Sequence, residues 1–209
     1  MQHDFILLDR SGSMDSIWDE ALSSVNAYVA KLAADNVDTG VTLATFDTDA
    51  GEFAFEIIRD RIIPRTWRKV SNEDCSPRGM TPLNDAIGRV VSLAKGGGYD
   101  KLALIIMTDG MENSSREISH GKARELLDEC RGKNWAVIFL GADMNVRTHT
   151  MQASSYNNNI NATMSAGRGQ MVNSMWGMAA KRATYAVHEA QAATMEFSDE
   201  EKATLSKKD

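Results

Sequence analysis

The sequence predicts an α/β fold: a doubly wound, mostly parallel sheet with one antiparallel edge strand, followed by a C-terminal helical extension. Three observations point there. Short apolar runs of strand length alternate with longer stretches whose apolar residues recur at helical spacing. Two of the strands are joined only by Asp49-Ala50-Gly51, which suits a hairpin and is too short for a crossover. A further amphipathic stretch, 170–190, comes after the last strand.

Taken in order, residues 3–9 form a short apolar strand that ends at a turn. From Ile17 the apolar positions Ile17, Ala21, Leu22, Val25, Val29, Leu32 and Ala33 give a helix to about Ala34, with Asp15 or Ser16 as its cap. Strands are expected at 41–46 and 52–58. Residues 72–81 read as loop, and Thr81 reads as an N-cap with Pro82 at the first helical position. Leu83, Ala86, Ile87, Val90, Val91 and Ala94 supply that helix's apolar face, and Gly96-Gly97-Gly98 stops it. The continuous apolar run 102–107 reads as a strand covered on both sides. A third helix carries Ala123, Leu126, Leu127 and Cys130 on one face, with Gly132 beyond its end, and 136–140 is another buried strand. Asn157-Asn158-Asn159 reads as a turn and 160–164 as a short last strand. Residues 1–165 are then the domain, 166–197 a helix packed on it, and 198–209 a charged tail.

The composition bounds the function. The 209 residues are 43% apolar and 25% charged, ordinary for one globular domain. A formal charge of −6 argues against a general nucleic-acid grip. No apolar run approaches membrane-spanning length. Cys75 and Cys130 are too few for a disulfide framework, and no basic segment followed by a long apolar one opens the chain. The expectation is a cytoplasmic protein.

The chemistry is expected at three sequence-distant places. Asp9-Arg10-Ser11-Gly12-Ser13 puts a carboxylate and two hydroxyls on a strand-to-helix turn. Gly79-Met80-Thr81-Pro82 brings another hydroxyl to a helix start, and Thr108-Asp109-Gly110 another carboxylate to a strand end. In open α/β sheets ligands bind beyond the carboxyl ends of the strands where the strand order reverses. If the first strand and the 102–107 strand are neighbours there, all three pieces meet. Asp9, Ser11, Ser13, Thr81 and Asp109 would then form an oxygen set suited to Mg²⁺ or Mn²⁺. Singly, each has a plainer reading as a turn or cap residue.

Asp-x-Ser-x-Ser, the distant Thr81 in Gly-Met-Thr-Pro-Leu, and Thr-Asp-Gly after an apolar strand resemble the metal-ion-dependent adhesion site of von Willebrand factor type A domains. The resemblance covers about residues 3–165, and the wording around both loops is similar to short stand-alone members from bacteria and their phages. It implies a Rossmann-like sheet with one antiparallel edge strand. It also implies that Ser11 and Ser13 coordinate the metal directly, Thr81 directly or through water, and Asp9 and Asp109 mostly through water or the hydroxyls. A first shell of neutral hydroxyls leaves the ion's charge unsatisfied, so a partner protein's Asp or Glu is the expected additional ligand.

The role implied is Mg²⁺-dependent protein binding, with no nucleic acid, no membrane and no catalysis. Two alternatives use the same fold: a structural assembly or virion component, and an adaptor beside an AAA+ ATPase. Other chemistry is poorly supported. The four histidines lack ligand spacing, and there is no Gly-x-Ser-x-Gly elbow. Residues 59–69 form a basic cluster, read as a solvated connection or a docking surface for an acidic partner. Met171, Met175 and Met178 share a helix face, read as core packing. Cys75 reads as a loop cysteine and Cys130 as core.

Overall fold

The computed structural model describes residues 1–109, 112–142, 156, 162–166, 170–187, 192–198 and 200–201. Six strands, β1 (Gln2–Asp9), β2 (Gly40–Asp49), β3 (Glu52–Ile62), β4 (Lys101–Thr108), β5 (Ala136–Ala142) and β6 (Ala162–Ala166), form one sheet in the order β3-β2-β1-β4-β5-β6. All neighbours are parallel except β2 and β3, so the antiparallel strand lies at the edge. Among the described residues four α-helices flank it: α1 (Trp18–Ala34), α2 (Leu83–Gly96), α3 (His120–Gly132) and α4 (Met171–Ala186).

The period of two in the strands sorts their side chains between two cores. Ile6, Leu8, Leu43, Ile105, Met107, Ile138 and Leu140 face α1 and α4. Phe5, Leu7, Phe46, Leu104, Ile106, Val137 and Phe139 face α2 and α3. The central strands β1, β4 and β5 therefore carry continuous apolar runs, because the sheet is covered on both sides there, whereas the edge strand β3 is half-exposed. Met171, Met175 and Met178 are buried in the first of these cores, as the core-packing reading has it.

A buried ion pair ties α4 to the sheet. Arg182 donates to Asp4 at 2.6 Å, to Thr39 at 3.2 Å and to the Gln2 side chain at 3.0 Å. Asp4 also accepts from Tyr28 of α1 at 2.9 Å. Arg182 and Asp4 are both fully buried, and each supplies the opposite charge the other needs when shielded from solvent.

Several boundaries differ from expectation. A 3-10 turn, Gly12–Ile17, precedes α1, and neither Asp15 nor Ser16 caps the helix, which begins at Trp18 without a side-chain cap. β3 continues to Ile62, four residues past the expected end, through two register shifts against β2. The β2–β3 turn has only Ala50 and Gly51 at its centre, at φ 49° and 83°, the left-handed pair of a tight hairpin. β6 lies two residues later than expected, and α4 is shorter than 170–190. Cys75 is buried. The expected Asn157–159 turn and most of the expected tail lie outside the described residues.

After β3 the chain runs as a strap, residues 63–80, beside α1 before it enters α2. Asn26 of α1 clamps its middle, donating to the Val70 carbonyl at 2.9 Å and accepting from the Val70 amide at 2.9 Å and the Trp67 indole at 3.0 Å. Trp18 donates to the Cys75 carbonyl at 3.3 Å.

Candidate metal centre

β1 sits between β2 and β4, and all three run parallel, so the loop leaving β1 opens at the point where the strand order reverses. Register decides what meets there. Leu8 is opposite Met107, which places Asp9 beside Thr108, and the Thr108 hydroxyl donates to Asp9 Oδ2 at 2.6 Å. Asp9 Oδ1 accepts from the Ser11 amide at 2.8 Å. The Ser11 and Ser13 hydroxyls lie 3.1 Å apart, and Ser13 donates to Asp109 Oδ1 at 2.8 Å. Asp9, Ser11, Ser13 and Asp109 thus form one polar chain across the carboxyl ends of β1 and β4. Asp9 and Ser11 are buried at its base, whereas Ser13 is exposed.

The strap's end lies against the β1 loop, and Thr81 follows it. The Gly12 amide donates to the Gly79 carbonyl at 3.1 Å, and the Arg78 amide to the Arg10 carbonyl at 2.7 Å. Gly79 sits at φ 66°, and a Cβ there would lie 2.0 Å from the Thr48 carbonyl oxygen, so only glycine lets the strap come this close. Thr81 is buried, and Asn113 holds its backbone at both ends: the Thr81 amide donates to Asn113 Oδ1 at 2.9 Å, and the Asn113 amide to the Thr81 carbonyl at 3.2 Å.

Thr81 does not cap α2. The helix starts at Leu83 without a cap from its own preceding residues. Instead Glu112 accepts from the Asn84 amide at 2.8 Å and the Ser115 hydroxyl from the Asp85 amide at 3.1 Å. Asp85 returns the favour, accepting from the amides of Arg116, Glu117 and Ile118 at 2.8, 3.0 and 2.7 Å. A helix whose first amides are satisfied from another loop has no use for a threonine cap, which leaves the Thr81 hydroxyl for other work.

A second polar layer lies under the loop. Arg10 is buried; it donates to both Glu56 oxygens at 3.1 and 3.0 Å and lies 3.3 Å from Asp47. Arg78 donates to Asp47 at 2.5 Å and to Glu56 at 3.3 Å, and pairs with Asp49 at 2.9 Å. These ions join the β1 loop, β2, β3 and the strap into one block. Arg10, Asp47, Glu56, Arg78, Glu112 and Asn113 are positioning residues that the motif pattern does not single out. Only the adjacency of Arg10 to Asp9 and Ser11 hints at its part.

Burial works against negative charge at the base of this cluster. Burial raises the Asp9 carboxyl from its ordinary 3.8 to about 6; the Thr108 and Ser11 hydrogen bonds oppose the rise, and the Asp109 charge adds to it. Two carboxylates therefore flank two hydroxyls in a place that holds negative charge at a cost. Among the described residues no group of three or more His, Cys, Asp or Glu is arranged for a metal. The donor set here has only two acids and is completed by hydroxyls, a composition that suits a hard ion retaining water.

The chain matches the von Willebrand factor type A domain family over residues 5–174, which runs into the first turn of α4. No curated protein matches it. Among solved structures, the vWF domain of the type V pili tip protein Mfa5 from Porphyromonas gingivalis is similar with a TM-score of 0.68 at 9% identity, over 90% of this chain and 96% of that one. The pilus adhesin SpaC from Lactobacillus rhamnosus GG, in its open conformation, gives 0.64 at 11% identity, over 88% of this chain and 30% of that one. The SpRpn10 VWA domain gives 0.56 at 13% identity, over 84% and 93%. The chain thus spans less than a third of SpaC, and at these identities the likeness is one of fold.

Proposed function

This chain belongs to the von Willebrand factor type A domain family, and from that premise we propose that it is a protein-binding module whose grip on its partner depends on Mg²⁺ or Mn²⁺. The observation that carries the reading is the unbroken polar chain Asp9–Ser11–Ser13–Asp109 at the switch point of the sheet. Ser11, Ser13 and Thr81 would hold the ion through their hydroxyls, with Asp9 and Asp109 orienting them and balancing charge. The ion would supply a Lewis-acidic position that takes a carboxylate from the partner's Asp or Glu. The exposure of Ser13 leaves that side of the site open to solvent.

Arg10 and Arg78 spend their charge on Asp47, Asp49 and Glu56 and act by holding the loop and the strap together. Binding, not catalysis, is the role proposed. Similar folds occur in a pilus adhesin and a pili tip protein, which supports an interaction role without naming a partner.

The experiment is a pair of thermal melts, in Mg²⁺ and in EDTA, with calorimetric titration. At metal ten times its Kd the folded state gains about 1.4 kcal/mol by mass action, a shift of a few degrees. Ser13→Ala should abolish the shift while leaving the EDTA melt in place. A pull-down from the native source should then retain a partner in Mg²⁺ and lose it in EDTA. Identical melts together with no heat of binding would refute the reading.

A further inference from the structure

The basic cluster at 59–69 has no part in the site just described. It holds five cations and one acid in a chain whose formal charge is −6. Arg59 is consumed by the fold: it donates to the Ile58 carbonyl at 2.9 Å, the Arg68 carbonyl at 3.3 Å and Asp74 at 2.9 Å. The other four are exposed. The side chains of Arg61 and Arg68 are 71% and 81% exposed, and their nearest acids stand off at 3.4 Å (Asp60) and 3.5 Å (Asp74, already bound by Arg59). Arg65 donates to the neutral side-chain oxygen of Asn36.

The backbone turns these groups outward. Two register shifts interrupt the end of β3, and Arg61 sits at φ 49°, a left-handed conformation that costs a side-chain-bearing residue stability. Its amide donates to the Thr42 hydroxyl at 3.0 Å, which holds it there. Bulges of this kind re-aim side chains and end strand pairing.

An apolar feature lies among the cations. Ile63 is 62% exposed between Arg61 and Arg65. It borders a cleft of about 180 Å³ whose walls include Leu32, Val37, Pro64 and Arg65, with Asp38 at its edge. The patch lies at the amino end of β1, since Ile62 pairs with Val41 and Val41 with Asp4. Asp9 is five residues further along β1, roughly 16 Å away at strand rise.

We propose that this end of β3 and the start of the strap form a second docking surface, for an acidic segment of a partner protein carrying an apolar side chain between its carboxylates. The carboxylates would pair with Arg61, Arg65 and Arg68, and the apolar side chain would cover Ile63 and enter the cleft. A nucleic-acid backbone fits less well, because it needs a longer basic stripe than these few cations provide. The surface does not depend on the metal reading, being at the other end of the sheet.

The test is fluorescence anisotropy with the whole chain in EDTA and a labelled peptide of Glu and Asp with one central Leu. Saturable binding is expected at low salt, weakening several-fold as salt is raised. The double variant Arg65→Glu, Arg68→Glu should bind at least tenfold more weakly with an unchanged melt, since both side chains are exposed. No saturable binding, equal binding by the double variant, or tighter binding of a single-stranded oligonucleotide or anionic vesicles would overturn the proposal.

Discussion

Asp9→Asn should make the metal-free protein more stable at neutral pH while destroying the candidate site. Burial holds the Asp9 carboxyl at about 6 against an ordinary 3.8, which corresponds to about 3 kcal/mol when the group is fully ionised. The folded value lies above the unfolded one, so the favourable contribution is complete below 3.8 and is lost as pH rises through 6. Asparagine removes the buried charge. It still accepts from the Ser11 amide, but the Thr108 hydroxyl must reverse or lose its bond, which offsets about 1 kcal/mol. The expected net gain is about 2 kcal/mol at pH 7.5 in EDTA.

Urea denaturation of both proteins in EDTA at pH 4.5 and 7.5 reads this out. The gap between variant and wild type should widen by about 2 kcal/mol over that range. His3, pushed down to about 4 by burial, titrates over the same range but is common to both chains and cancels in the difference. Adding Mg²⁺ should restore the wild type relative to the variant. A gap that stays flat with pH would refute the reasoning, because Asp9 would then not be a buried carboxylate held at a cost. Stability given up at a site in this way is the usual mark of a constellation kept for binding.

Gly79→Ala should cost roughly 2–4 kcal/mol by chemical denaturation and shrink the Mg²⁺-dependent melting shift, because the new Cβ meets the Thr48 carbonyl and displaces the strap that carries Thr81. Arg182→Ala should cost about 3–5 kcal/mol by leaving Asp4 buried and unpaired, and adding Asp4→Asn should recover part of the loss. A loss under 1 kcal/mol for Arg182→Ala would mean that the apolar face of α4 and its other hydrogen bonds, such as Tyr185 to the Asn134 carbonyl, hold it without the ion pair.

Strand and helix existence was legible in the sequence because it rests on local periodicity. Ile6, Leu7 and Leu8 declare a strand buried on both faces, and Val25, Val29 and Leu32 declare a helix, whatever surrounds them. The hairpin was legible from Ala50-Gly51, and the oxygen residues at the two strand ends from their place after apolar runs. Which groups serve those residues depended on contacts that no local pattern carries. Thr81 followed by Pro82 looks like a helix cap until Glu112 and Ser115 arrive from the far side of β4 and take that work. Arg10, Arg59 and Arg182 look like surface cations in the chain. Only the fold places Glu56, Asp74 and Asp4 beside them, turning three charges inward while Arg61, Arg65 and Arg68 stay outside. Apolar periodicity is a property of a segment, whereas the fate of a charge is decided by what the rest of the chain brings within a few ångströms of it.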